Sequence, residues 1–410
     1  LPSEQASDFA PLRAATWIRR LQLSNFRNYR ALTIDLDHRP VVLAGDNGTG
    51  KTNLLEAVSM LAPGRGLRRA HLASLTHRSA PGADAPAPAA GALAESAGGS
   101  VLPGLAWAVS ALVRVRGDEV RLGTALEPGP TARYRRHARI DRAPAPLNAL
   151  AGIVSLVWLT PQMDRLFQEG PGARRRFIDR LTLAHDPGHG ARVSAYERAL
   201  RERQKLLSDP YADKGWLDAL ELQMAEHGIA VAAARAGIVE GLCAECEINR
   251  IEGFPSPVLT LSGSLEELLN QYSALEAEER YIDQLKAMRF RDAQSGRTQF
   301  GPHTSDLVVW NADKSMAARE CSTGEQKALL ISIILASVRL VLARRPNEAP
   351  LVLLDEIIAH LDGARREILL NCLCDLKCQV WMTGTDKELF APLADRAQIL
   401  AVANGGVWAC

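Results

Sequence analysis

The sequence has no uninterrupted apolar run of about eighteen residues, so it offers no stretch able to cross a membrane as a helix. It also has almost no net charge: 48 Lys and Arg stand against 47 Asp and Glu, leaving +1. No global field draws such a chain to nucleic acid or lipid, and any polyanion must be met by a local patch. The first eleven residues lack the basic-then-apolar layout of a secretory leader. The chain starts at Leu1 rather than Met, as a trimmed end does. Of seven cysteines only Cys243 and Cys246 form a C-x-x-C, and no second pair follows at zinc-ribbon spacing. Within a helical stretch that pair reads as small core residues rather than a metal or redox site. Cys372, Cys374 and Cys378, late in an apolar helix and strand, read the same way. The expectation is a reduced, cytoplasmic protein. Its 410 residues, 47% of them hydrophobic, leave room for about two or three domains with ordinary cores.

What is present begins with Gly45-Asp46-Asn47-Gly48-Thr49-Gly50-Lys51-Thr52. This fits G-x-x-x-x-G-K-[ST], the phosphate-binding loop of nucleoside triphosphatases. The apolar residues 41–44 ahead of it read as a buried strand, and residues 53–58 behind it begin a helical pattern. The three glycines let the backbone approach phosphate oxygens with no Cβ in the way. The amides and the helix N-terminus then face the anion. Lys51 is expected to reach the β- and γ-phosphates of ATP, and the Thr52 hydroxyl to ligate Mg²⁺.

Three further pieces follow. Ser322-Thr323-Gly324-Glu325-Gln326-Lys327 stands directly before an apolar helix over 328–342, with Ser322 as its N-cap. The apolar strand 351–354 ends in Asp355, suited to hold Mg²⁺, and Glu356, suited to polarise the attacking water as general base. Ala359-His360-Leu361-Asp362 comes next, and then a strand at 380–382 followed by Thr383 and Thr385. Singly, two acids after a strand can be only a strand end, and Ser-x-Gly only a cap. Their order, however, is that of ABC-type ATPases, and simple phosphate-loop kinases and GTPases lack the middle element. In that class the Ser-x-Gly element lies too far from its own phosphate loop and completes the site of a second subunit. Ser322, Thr323, Gly324, Glu325 and Gln326 are therefore expected to meet ATP in trans. The chain is expected to be monomeric when empty and a two-fold dimer with ATP.

The rest of the chain frames this site. Strands are expected at 17–23 and 34–36, at 109–115, 120–126 and 134–142, and at 154–159. Residues 79–104 are rich in Ala, Pro and Gly and read as a flexible insertion. The basic loop 63–69 is either a solvated turn or a phosphate-backbone contact. From 192 to 250 the chain reads as helix. Leu217, Met224, Val231 and Ile238 recur every seven residues, with Leu220, His227 and Ala234 three later, so two helices are expected to pair antiparallel. His227 on that seam reads as packed rather than as a ligand. About sixty residues of helix total about 90 Å and, folded back, project about 45 Å, a stub rather than a rod. A further amphipathic helix is expected over 265–288, and a turn at 300–306 leads into a strand at 307–310.

At this point residues 21–29, Leu-Gln-Leu-Ser-Asn-Phe-Arg-Asn-Tyr, resemble the N-terminus of the RecF family of bacterial recombination mediators. So do Gly-Arg-Gly-Leu-Arg-Arg at 64–69, Pro-Gly-Ala-Arg-Arg-Arg-Phe-Ile-Asp at 171–179, Gly-Pro-His-Thr-Ser-Asp at 301–306, and residues 322–327. The resemblance runs from about Trp17 to the C-terminus. Departures are the 79–104 insertion, Leu67 where an aromatic is common, and Thr304 where an arginine is common.

The resemblance implies a mixed α/β fold, an ABC-type P-loop ATPase head with a second, mainly helical lobe. Residues 17–184 and 297–410 would be the two parts of the ATPase lobe and 185–296 the helical arm. It implies slow, DNA-stimulated ATP hydrolysis and an ATP-dependent dimer on duplex DNA near gaps. The function implied is recombinational repair and replication restart, with RecR and RecO helping RecA load onto single strands. On the same basis Gln162 is either a Q-loop residue that touches metal and attacking water or a surface residue. Asp362 resembles the D-loop acid, and Thr383 or Thr385 stands where transporters place a switch histidine. DNA contacts would fall on Arg65, Arg68, Arg69, Arg135, Arg136, Arg174, Arg175 and Arg176. Two rival readings are the ATPase subunit of a transporter and a scaffold that binds ATP without hydrolysing it. The long helical insertion between Gln162 and Ser322 speaks against the first, and Glu356 against the second.

Overall fold

A computed structural model describes residues 16–77, 106–128, 134–209, 211, 213–359 and 361–409. The expected flexible insertion 79–104 and His360 lie outside the described residues. In chain order the first half contains β1 (Thr16–Phe26), β2 (Tyr29–Asp35), β3 (Val41–Ala44), α1 (Lys51–Ser59), β4 (Trp107–Val115), β5 (Asp118–Pro128), β6 (Tyr134–Ile140), β7 (Ala143–Ala145), β8 (Leu156–Leu159), α2 (Pro171–His185) and α3 (His189–Leu207). The second half contains α4 (Lys214–Ile248), β9 (Pro257–Ser262), α5 (Ser264–Gln271), α6 (Ala274–Ser295), β10 (Asp306–Asn311), β11 (Met316–Ala317), α7 (Thr323–Arg344), β12 (Leu351–Leu354), α8 (Gly363–Asp375), β13 (Val380–Gly384), β14 (Gln398–Ala403) and β15 (Gly406–Ala409).

Two six-stranded sheets carry the molecule. One is antiparallel, in the order β2-β1-β4-β5-β6-β7. The other runs β15-β14-β3-β13-β12-β8 and is parallel except for the terminal β14–β15 hairpin. Every residue of β3, β8 and β12 is buried, as expected of parallel strands covered on both faces. Val41 and Leu43 point into a core shared with α1 and the antiparallel sheet. Val42, between them, points into a second core built by α2, α7 and α8. The expectation of no stretch able to cross a membrane is corrected at α7, which is apolar and long enough to do so because its few polar residues are scattered; 83% of its apolar window is buried, so it is the central helix of that second core.

The helical arm has its own core, where Tyr196, Leu220, Met224, Leu265, Tyr281 and Leu285 meet. Two expectations change here. The 265–288 stretch is two helices, because Ser273 and Glu276 form a capping box that restarts the chain as α6. The 192–250 stretch is also two helices, but α3 has 19 residues and α4 has 35, so they do not fold back as equal halves. Leu217, Leu220, Met224, Val231 and Ile238 are buried as expected, whereas His227 and Ala234 are only half-buried. The buried stripe widens instead onto Ala225, Ala232 and Val239, and onto Glu221, Gly228 and Arg235. Helices α3 and α4 do pack on one another as expected, but α2, α5, α6, α7 and β9 also pack on α4, so its apolar face is broader than a two-helix seam. Its later turns place Ile238, Val239, Leu242 and Cys246 in the α7 core. The Cys243 thiol donates to the Leu259 carbonyl at 3.3 Å, in keeping with a structural role.

A buried ion network ties the arm together. The Arg203 guanidinium, fully enclosed, donates to Glu221 at 2.9 Å, Asp292 at 2.7 Å, Thr298 at 2.9 Å and the Leu285 carbonyl at 2.7 Å. Arg289 adds bonds to Asp218 and Glu221. The arm joins α2 through residues 301–306. Arg235 holds Asp179 with two bonds, at 2.7 and 2.9 Å, and the Pro302 carbonyl at 2.6 Å. Arg174 holds Asp306 with bonds at 2.7 and 2.8 Å.

Candidate nucleotide site

The phosphate loop leaves β3 and enters α1 at Lys51, and its shape depends on two glycines. Gly50 has φ +113°, and a Cβ there would lie 2.3 Å from the Asn28 amide and 2.6 Å from the Tyr29 hydroxyl. Gly45 has φ +155°, and its Cβ would lie 2.3 Å from the Val402 carbonyl on β14. The β1–β2 turn is thus a buttress. Asn28 donates to the Thr49 carbonyl at 3.0 Å, Tyr29 donates to the Gly50 carbonyl at 3.1 Å, and Asn53 donates to Asn28 at 2.8 Å. Burial pushes the Tyr29 hydroxyl up to about 12, which keeps it a donor. Nothing in the hairpin's own sequence spells out this support, which arises only where the turn packs on the loop. Replacing Gly50 with Ala is expected to lose about 1–3 kcal/mol to the overlap and about 1–2 kcal/mol to the left-handed backbone. Thermal unfolding and ATP titration check it, with ATP affinity falling about 5- to 60-fold if half of that loss falls on the loop.

Lys51 folds back over the loop and donates to the carbonyls of Gly45, at 2.5 Å, and Asp46, at 2.7 Å. Burial lowers its pKa, against the opposing charges of Glu356, Asp355 and Asp46. Across from it, β12 lies between β13 and β8, which sets Asp355 and Glu356 at the C-terminal edge of the sheet. One Asp355 oxygen accepts from Thr52 at 2.9 Å and from Thr383 at 2.9 Å. Burial raises the Asp355 pKa, the two hydroxyl donors lower it, and the Glu356 charge adds to the rise. Glu356 is exposed, with a left-handed φ of +50°. Its N–H donates to the Thr383 hydroxyl at 2.8 Å, and its carbonyl accepts from Lys327 at 3.1 Å. Of the two candidate threonines, Thr383 is buried under both acids and Thr385 is exposed. A hydroxyl and a carboxylate oxygen side by side suit a hard divalent cation.

Ser322 caps α7 in a full capping box with Glu325. Hydrogen bonding to Lys314, ahead of Ser322, holds the Glu325 carboxyl down at about 2. Ser322 and Thr323 are exposed, and Gly324 is partly so. Among the described residues no hydrogen bond or ion pair joins 322–326 to the phosphate loop of the same chain. Gln326 departs from the expectation of a nucleotide contact: it is fully buried, and its amide donates to the Cys321 carbonyl at 2.8 Å. Gln162 is exposed on the turn Pro161–Arg165, just past β8, the strand paired with β12. Asp362 caps α8 by accepting from the Arg365 N–H at 2.9 Å.

The arginines divide. Arg65, Arg68, Arg69 and Arg176 are exposed. Burial and then the charges of Arg176 and Arg65 lower the Arg69 pKa, so these three share one patch. Arg68 donates to Asn53 at 3.2 Å, and Arg135 is exposed opposite Glu127 on the β5–β6 pair. Two expectations are corrected. Arg136 is turned inward onto the carbonyls of Met60, Ala62 and Gly64 at the end of α1, with burial bringing it down to about 10. Arg174 is consumed by Asp306. Arg175 donates to the Ser305 carbonyl at 2.6 Å. Arg180, not anticipated, stacks 4.6 Å over the Trp158 ring, and burial takes it down to about 9.

The family described as RecF/RecN/SMC N terminal domain matches residues 17–406. The DNA replication and repair protein RecF of Mesorhizobium japonicum is 46% identical over 397 residues, which cover 96% of this chain and 98% of that protein. That of Rhizobium rhizogenes is 44% identical, covering 95% and 98%. Among solved structures, the recombination mediator protein RecF-ATP in the RecFOR pathway superposes with a TM-score of 0.75 at 20% identity, over 96% of this chain and 99% of that one. An Smc head domain with an extended coiled coil from Pyrococcus furiosus gives 0.52 at 16% identity, over 96% of each chain.

Proposed function

The chain belongs to the RecF family, within the RecF/RecN/SMC group of ABC-type ATPases, and from that premise we propose that it serves DNA replication and repair as an ATP-gated clamp on duplex DNA. Residues 17–184 and 297–410 act as one ATPase lobe and 185–296 as its arm. The observation that carries this reading is the split site: Lys51, Thr52, Asp355 and Glu356 converge on one sheet edge, while Ser322 stands exposed at the capped N-terminus of α7, with no hydrogen bond to the described phosphate loop of its own chain. ATP bound to one chain is closed over by Ser322 and Gly324 of a second. Lys51 leaves the loop carbonyls for the β- and γ-phosphates. Thr52 and Asp355, with Gln162, hold Mg²⁺, which neutralises phosphate charge when bound. Glu356 takes the proton of the attacking water.

DNA meets the Arg65, Arg69 and Arg176 patch through its phosphates, near gaps and stalled forks. RecR and RecO are the expected protein partners, with RecA loading as the outcome, in the cytoplasm. Charge reversal at these three arginines is expected to weaken duplex binding equally for unrelated sequences. It should also flatten the salt dependence by about 0.9 in log–log slope per lost contact. Fluorescence anisotropy over a salt series, with ATP present, reads both quantities. Loss that depends on base sequence, or no loss at all, contradicts the patch.

A further inference from the structure

Glu356 sits in a backbone conformation that residues with a side chain rarely adopt, and two side chains hold it there from opposite sides. Thr383 takes its N–H, and Lys327 takes its carbonyl. Lys327 lies one turn inside α7, only 6% exposed, and makes a second bond to the Ala359 carbonyl at 2.8 Å. Among the described residues no carboxylate forms an ion pair with it. Its ammonium instead spans the turn that carries the base, with Asp164 on the 161–165 turn close enough to favour its charge. Burying a lysine merely to fill space is unfavourable, so the placement calls for a use of its donors. Thr383 and the strand ends belong to the rigid sheet. Lys327 belongs to the helix whose N-terminus Ser322 caps.

We propose that Lys327 is a positioning residue for hydrolysis: it fastens the Glu356 turn to α7, so that docking of the α7 N-terminus on a second chain's nucleotide sets the base over its own. The inference rests on the two-chain site proposed above. It gives the conformational link a single covalent path, five residues from Ser322 to Lys327, followed by two hydrogen bonds. Arginine can keep both bonds, and methionine keeps the stem with neither.

The experiment uses the full chain as wild type, Lys327→Met and Lys327→Arg, with duplex DNA present. Steady-state phosphate release, the KM for ATP, and molar mass with ATP are read for each. For Lys327→Met the expected kcat is about 10- to 100-fold lower, as for a misplaced catalytic group. KM and ATP-dependent association should stay within about twofold. Lys327→Arg should recover most of kcat. An unchanged kcat in Lys327→Met overturns the inference. So does a loss shared equally by kcat, KM and association that arginine does not repair, since that describes a purely structural lysine. Should Lys327→Met not fold, Lys327→Gln is read by the same criteria. Failure of the two-chain reading itself would show in wild type, as no association with ATP, before any lysine variant is considered.

Discussion

A Glu356→Gln chain is expected to bind ATP as wild type does and to release phosphate about 10²- to 10⁴-fold more slowly. The amide keeps the size of the carboxylate and cannot accept the proton of the attacking water. The groups that would hold ATP are untouched, because Lys51 and Thr52 make their bonds to the loop carbonyls and to Asp355. The backbone clamp on residue 356 uses main-chain atoms and survives the change. Removing the Glu356 charge also relieves one of the influences that raise the Asp355 pKa, which favours the ionised form needed at a metal. Nucleotide titration and steady-state phosphate release check the two halves separately. Unchanged phosphate release would favour the non-hydrolysing scaffold.

The second large effect is on stability. Arg203→Ala is expected to destabilise the arm by about 3–5 kcal/mol, since it strands the enclosed Asp292 carboxylate and takes one of two cations from Glu221. Glu221 keeps a bond to Arg289, but Asp292 loses its cation altogether, and the Thr298 hydroxyl and Leu285 carbonyl lose a donor with it. Arg203→Met combined with Asp292→Asn should be milder, because the buried charge on that side is removed along with its partner. Chemical denaturation measures the difference, and hydrogen exchange should show the loss first in α6 and the start of α4. ATP binding by the distant phosphate loop should persist. A variant as stable as wild type would contradict the role of this network.

Much of the site was legible because its residues act through their own chemistry at fixed spacing. The glycines, Lys51 and Thr52 are a contiguous string, and Asp355 and Glu356 end an apolar strand. Ser322 and Glu325 spell out a cap. What escaped depends on where a side chain turns. Nothing local distinguishes Arg136, which closes the end of α1, from an arginine left in solvent. Arg174 looked available until Asp306, 132 residues away, was found to hold it. Gln326 and Lys327 follow the cap directly, yet the turn of the helix puts both inside. Asn28 and Tyr29 stand out in the sequence only through the family resemblance, and their bonds to the phosphate loop appear only when the hairpin packs on it. The break at Ser273 was readable from its Ser-x-x-Glu pattern, and strand β9 from its alternation of buried and exposed residues. Both were hidden by the longer helical patterns beside them. The seam through His227 failed for a related reason: a period of seven fits one partner helix, and α4 has several.

The proposed two-chain ATP site can be read directly from the molar mass of Glu356→Gln in solution, measured by light scattering without nucleotide and then with ATP and Mg²⁺. A single chain is expected in the first state and two chains in the second, with Ser322→Arg in the same background abolishing the change. A single chain in both states, with ATP demonstrably bound, would contradict it.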